Sequence, residues 1–109
     1  MTWVIVVGGA SMGWATAHHL LQLDSDLDVT VLEVVRSWAG LYAQNRLDAN
    51  AILGEWPGIG GLYQATGFSG HGFQQCHAVG RYLAELICEQ TPTLDLSRLG
   101  PKRVIAGDP

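Results

Sequence analysis

The stretch Trp3-Val4-Ile5-Val6-Val7-Gly8-Gly9-Ala10-Ser11-Met12-Gly13 decides the fold. Trp3 to Val7 is a β-branched run, the pattern of a strand covered on both faces, and Gly8 and Gly9 break it. The period then changes. From Ser11 or Met12 to about Leu23 the pattern is helical, with Ala17, Leu20 and Leu21 on a stripe that begins at Gly13. Asp24-Ser25-Asp26 ends that helix with turn chemistry. Residues 28–33, Asp-Val-Thr-Val-Leu-Glu, read as a second buried strand with an acid at its end. Two parallel strands joined by a helix cross over right-handed, so the handedness of this β-α-β unit is fixed.

The junction has the spacing of a dinucleotide fingerprint. That motif needs one glycine for the tight turn, one where pyrophosphate approaches the backbone, and one where helix meets strand. Gly8 and Gly13 fill the first and third places, and Ala10 stands in the second, with a methyl group where phosphate would approach. The helix start offers free N–H groups and the positive end of its dipole to an anion. Glu33, at the second strand's end, could accept hydrogen bonds from a ribose. A glycine turn that only packs a β-α-β unit is the alternative.

Working outward, Trp38 to Tyr42 and Ala51 to Gly54 are short strand candidates flanking a polar turn, Asn45 to Asn50, and a hairpin is their simplest arrangement. Residues 57–61, Pro-Gly-Ile-Gly-Gly, form a loop by composition, and residues 62–66 a further strand. A second strand-glycine-helix junction follows, Ala65-Thr66-Gly67-Phe68-Ser69-Gly70-His71-Gly72-Phe73. A helix runs from Phe73 to about Glu89. Phe73, Cys76, Val79 or Gly80, Leu83 and Ile87 share its apolar face, and Arg81, Glu85 and Glu89 the polar one. Thr91-Pro92 stops it, and the tail, with Arg98, Lys102 and Arg103, reads as an irregular arm carrying a solvated basic patch.

Composition bounds the whole. A chain of 109 residues is one domain's worth, and 48% hydrophobic with 15% charged residues argues for a globular fold. A net charge of −4 disfavours nucleic acid and anionic lipid as partners. Cys76 and Cys88 read as free thiols, and no ligand cluster for a metal is visible. The apolar start lacks a positive flank, since the first basic residue is Arg36, and no run reaches the roughly 20 apolar residues of a membrane helix. A soluble, cytoplasmic protein is the expectation.

The residues 4–13, with Val-Thr-Val-Leu-Glu at 29–33, resemble the N-terminus of FAD-dependent amine and amino-acid oxidoreductases, the D-amino-acid oxidase, sarcosine oxidase and dimethylglycine dehydrogenase superfamily. The second half resembles the C-terminus of the same enzymes, through residues 38–42, 48–54 and 65–72, then Ala78-Val79-Gly80-Arg81 and Asp95-Leu96-Ser97. The resemblance implies FAD held by both junctions. Gly8, Gly9, Ala10, Ser11, Met12 and Gly13 would hold the pyrophosphate, and Glu33 the adenosine ribose. Gly67, Phe68, Ser69, Gly70, His71, Gly72, Phe73 and Gln74 would lie beside the isoalloxazine ring, where a helix N-terminus favours the anionic reduced flavin. His71 takes a positioning role, and no residue is assigned to catalysis.

Family members run to several hundred residues, whereas here the two ends are joined around Val34 to Ser37 without the substrate-binding sheet. Gln74 stands where some relatives carry a lysine. The implied fold is α/β, a minimal Rossmann-like FAD-binding layer of three parallel strands ordered 28–33, 3–7, 62–66, with two main helices and a β-hairpin. It forms a single domain, 1–35 the dinucleotide unit and 36–109 the flavin-loop segment and tail. The implied function is that of an FAD-dependent oxidoreductase acting on amines or amino acids, which would need a substrate domain supplied in trans. The alternatives are a non-catalytic FAD-binding or partner-binding module, or the inactive product of an internally deleted gene. An NAD-binding module leaves the second loop without a role. The surface left uncovered would favour a homodimer.

Overall fold

The computed structural model describes residues 2–8, 10–32 and 43–107. The β-α-β unit forms as its periodicity dictates: β1 (Trp3–Val7), α1 (Ser11–Leu23) and β2 (Asp28–Leu32). The two strands pair in parallel with Trp3 opposite Asp28 and Val7 opposite Leu32. One face of this sheet lies toward α1, while the other leaves Trp3 73%, Ile5 64% and Val7 82% exposed. Cover on both faces, expected from the β-branched run, is therefore absent among the described residues.

The expected three-stranded parallel sheet is not formed. β3 (Ile52–Glu55) and β4 (Tyr63–Thr66) make a separate antiparallel pair, Ile52 opposite Thr66 and Glu55 opposite Tyr63. The reason is local. The Pro-Gly-rich segment closes a tight connection in which the Trp56 N–H donates to the Leu62 carbonyl at 2.7 Å and the Gly61 N–H to Glu55 Oε1 at 2.7 Å. Joining neighbours through so short a loop costs far less chain entropy than bringing residues 62–66 beside residues 3–7. The hairpin thus forms between 52–55 and 63–66. The other strand assigned to it by sequence, residues 38–42, lies outside the described residues.

α2 (Gly72–Ile87) packs on this hairpin and on α1. Ala51, Leu53, Val79, Tyr82 and Leu83 form the core, with Met12, Ala65, Phe68 and Leu86 against it. Two residues depart from the expected helix faces. Phe73 is 78% exposed, because the apolar stripe engages the core only from Cys76 onward. Glu85 is 2% exposed, held by Arg81 Nε at 2.7 Å, the Thr93 N–H at 2.6 Å and the Thr93 hydroxyl at 3.1 Å. Burial alone would raise its pKa, but these donors more than offset that and hold it below the ordinary value.

The tail is not an irregular arm. A 3-10 turn, Ser97–Leu99, and α3 (Pro101–Ala106) pack on β3, so Val104 and Ile105 are helical. Proline at the helix start and Gly107 in the left-handed region at its end delimit α3. Arg103 is likewise no part of a solvated patch: its side chain lies 3.0 Å from Asp48 Oδ2 and donates at 2.8 Å to the Ala51 carbonyl. His19 on α1 is half-buried, its ring centroid 5.8 Å from that of His77 on α2.

α1 and α2 meet at Gly80. A Cβ there would stand 2.8 Å from the Ala15 carbonyl carbon and 2.8 Å from the Thr16 nitrogen. These are backbone atoms, so the helices would have to separate. Farther along, Asp24 beyond α1 acts on Cys88 beyond α2, whose thiol is raised first by burial and then by that charge. Gly80→Ala gains about 1 kcal/mol of helix propensity, yet overpacking against fixed backbone costs about 1–3 kcal/mol, and Gly80→Val lacks most of the offsetting gain. A fall in thermal midpoint is expected, larger for valine, at roughly 4–8 °C per kcal/mol. Gly60→Ala, where a Cβ would meet nothing nearer than Glu55 Oε1 at 4.0 Å, serves as the neutral control. Equal midpoints for all three variants would refute the crossing as the constraint.

Candidate functional site

The first junction begins where β1 ends. Gly8 has φ +105°, and its N–H donates to the Leu32 carbonyl at 2.9 Å, tying the end of β1 to the end of β2. Ala10 is extended at the helix start. Gly13 packs so closely on the turn that a Cβ would overlap the Gly8 carbonyl oxygen and lie 3.3 Å from Val6 Cγ1. The turn and helix-contact roles that the sequence assigns to these two glycines are thus the roles they fill. No acid lies in the first turn of α1 and no side chain caps it, so its first N–H groups and positive end are available to an anion. Gly9 and Glu33, both expected at this site, lie outside the described residues.

The second junction is braced far more heavily. Gly67 (φ +69°), Ser69 (φ +53°) and Gly70 (φ +94°) bend the loop between β4 and α2. The Ser69 N–H donates to the Ala43 carbonyl at 3.0 Å, and Ser69 Oγ accepts from the Asn45 N–H at 3.0 Å. Phe68 bridges to Gln44 and sits under Gly72, where a Cβ would meet its ring at 3.3 Å. His71 precedes α2 with an exposed side chain, and Phe73 and Gln74 are exposed beside it. The first turn of α2, like that of α1, carries no acid and no side-chain cap.

Behind this loop lies a network that sequence reasoning missed. Asn45 is buried, and its amide donates to Asp48 Oδ1 at 2.9 Å and to the Asn50 carbonyl at 2.7 Å, while its Oδ1 accepts from the Leu47 N–H at 3.0 Å. Asp48 in turn takes the Arg103 guanidinium. The path Ser69–Asn45–Asp48–Arg103 joins the loop to α3. The signal was the polar run Asn45 to Asn50, which reads equally well as a solvated turn until Arg103 is found above it.

The two junctions lie more than fifty positions apart in the chain and are linked by the packing of α1 on α2. Met12 of the first and Phe68 of the second pack on the same core. A cavity of about 720 Å³ runs from Gly8, Ala10 and Gly13 between β1 and β4. Among the described residues no group of three or more His, Cys, Asp or Glu could hold a metal ion, and both cysteines are free thiols. No helix there is long and apolar enough to cross a membrane.

These features define a mixed α/β domain with two glycine-bounded helix starts. Residues 32–86 match the family model for FAD dependent oxidoreductases, half of the chain, and the protein belongs to that family. The match contains the second junction and most of α2; the first junction lies before it. The chain is 55% identical over 78 residues to the FAD-dependent oxidoreductase domain-containing protein 1 homolog of Drosophila melanogaster, covering 71% of this chain and 15% of that protein. It is 46% identical over 79 residues to FAD-dependent oxidoreductase domain-containing protein 1 of Xenopus laevis (72% and 16%) and 48% over 67 residues to that of Bos taurus (61% and 14%). It thus spans about 15% of the length of these curated relatives. No solved structure matches it.

The network makes the second junction acid-sensitive. The Arg103 hydrogen bond first, then the Asn50 N–H, hold the Asp48 carboxyl below its ordinary value. A depressed native pKa contributes stability above the unfolded value, near 3.9 for aspartate, that is lost as pH falls through the native value. Below about pH 4 the Ser69 amide should lose protection relative to its intrinsic exchange rate. Asp48→Asn should show fast exchange already at neutral pH and a weaker acid dependence; an unchanged profile would remove Asp48 from the bracing of this loop.

Proposed function

We propose that this chain is a single FAD-binding domain, the cofactor-holding core of an oxidoreductase that acts on the carbon–nitrogen bond of amines or amino acids. The observation that carries the reading is the pairing of two uncapped, acid-free helix starts, each behind a glycine turn, on two helices that pack directly against each other at Gly80. FAD needs both a pyrophosphate site and a site for the flavin ring, and its family is FAD-dependent.

The donor set fits the group. Gly8, Gly9, Ala10, Ser11, Met12 and Gly13 would take the pyrophosphate through backbone N–H groups and the α1 dipole, with Glu33 toward the adenosine ribose. Gly67, Phe68, Ser69, Gly70, His71, Gly72, Phe73 and Gln74 would lie beside the ring system. Flavin supplies acceptance of a hydride equivalent when bound. The positive end of α2 would favour negative charge on its pyrimidine side, and Ser69, fixed by Asn45, would keep the loop from relaxing. His71 positions and no residue is assigned to proton transfer.

No wall for a substrate is built by the described elements, so an amine or amino acid would be held only with a substrate domain supplied in trans. The exposed Trp3, Ile5 and Val7 favour a second reading, a module that binds FAD and a partner without turnover. A homodimer over that face is one form of it.

Titration with FAD tests both. The purified chain should turn yellow and, at a hundredfold excess over Kd, gain about 2.7 kcal/mol, or roughly 10–20 °C in thermal midpoint. A colourless protein with an unmoved midpoint would sink the proposal. Ala10→Gly should tighten binding by removing the methyl group at the pyrophosphate turn, and unchanged affinity would mean that FAD does not lie there. Bleaching of bound flavin by added amines or amino acids would favour the enzyme over the module.

A further inference from the structure

The cavity between β1 and β4 extends well beyond the Gly8–Gly13 turn at which the proposed function places the pyrophosphate of FAD. It is lined by every residue from Thr2 to Gly8 and from Gly61 to Ala65. Consecutive residues of a strand point to opposite faces, so a wall made of all of them is a strand edge rather than a sheet face. Among the described residues each strand has a hydrogen-bonded neighbour on one side only.

The free backbone groups follow from the registers. Asp28 donates to the Thr2 carbonyl and Gly8 to the Leu32 carbonyl, which places the even-numbered residues of β1 in the ladder with β2 and turns the N–H and C=O of Trp3, Ile5 and Val7 toward the cavity. Trp56 donates to the Leu62 carbonyl, so Gly54–Gln64 and Ile52–Thr66 are the hydrogen-bonded pairs of the hairpin. The backbone groups of Tyr63 and Ala65 then face the cavity from the other side. The floor is apolar, from Met12 on α1 and Leu83 and Ile87 on α2. Gln64, also in the lining, has a buried Nε2 without a hydrogen-bond partner.

We propose that this cavity is a strand slot, which takes one extended segment of a second polypeptide with apolar residues at alternate positions. Donors and acceptors on both walls, an apolar floor and an unsatisfied amide match a peptide strand better than any single small molecule. The size agrees: five residues of strand in one sheet position fill about 800 Å³, against the 720 Å³ present. Filling it joins β2, β1, the incoming strand, β4 and β3 into one five-stranded sheet. The order places residues 62–66 on the side of β1 that the sequence indicates, one position farther out. The matched relatives hold most of their length outside the aligned stretch, which leaves ample chain from which such a segment could come.

The test uses a seven-residue peptide of alternating threonine and valine, blocked at both ends, at millimolar concentration with the full chain. Amide exchange at Ile5, Val7, Tyr63 and Ala65 should slow at least tenfold, and a peptide with proline at alternate positions should leave it unchanged. Ile87→Glu, placing a charge on the floor, should remove the protection while far-UV circular dichroism stays the same. The slot is refuted if no amide slows, or if the proline peptide protects equally. It is also refuted if FAD alone protects the same amides, or if raising protein concentration alone does so, which would make the occupant a second copy. The FAD titration reads separately, so either proposal can fail without the other.

Discussion

The missing side chain at Gly80 is the constraint on which the arrangement depends. It allows the backbone of α2 to rest directly on Ala15 and Thr16 of α1, and this contact joins two parts of the chain that share no strand ladder among the described residues. The sheet of β1 and β2 and the hairpin of β3 and β4 are each too small to stand alone in water. The helix pair couples them, and it sets the two glycine turns in register. A shift along this crossing would displace one turn relative to the other and leave both intact as local structures.

The first glycine turn was legible because its residues are dictated by local geometry. Gly8 must turn with positive φ, and Gly13 must lack a side chain for the helix to close on the strand. Such requirements fall on consecutive residues and leave a pattern. The helices α1 and α2 were legible for the same reason, to within a residue or two at their ends, whereas α3 was not. The pairing of β4 was not, since a five-residue strand pattern carries no record of its neighbour. The tight 56–62 connection chose β3. Glu85 and Arg103 escaped because charge on a helix face or in a polar tail predicts solvent, and only Thr93, beyond the end of α2, and Asp48, distant in sequence, turn them inward. Phe73 misled in the opposite sense, since helical spacing marks a face but not where the core stops.

The two candidate loops differ in how they are held. The first depends on close backbone contact, with one hydrogen bond from Gly8 to β2. The second depends on side chains, where Asn45 has both its amide and its carbonyl engaged. A fully satisfied buried amide specifies one loop conformation, because any other leaves donors unpaired at a cost of about 1–3 kcal/mol. The rigid loop is the one inside the family match.

The ion pair of Arg103 with Asp48 closes a loop of 55 positions along the chain. During synthesis, which proceeds at about 5–20 residues per second, the glycine loop and α2 are made before Arg103. For that interval Asp48 and Asn45 have no guanidinium above them. The loop between β4 and α2 reaches its final form only after translation has passed α3. A released chain truncated ahead of Arg103 would therefore carry both helices and an unfinished second junction.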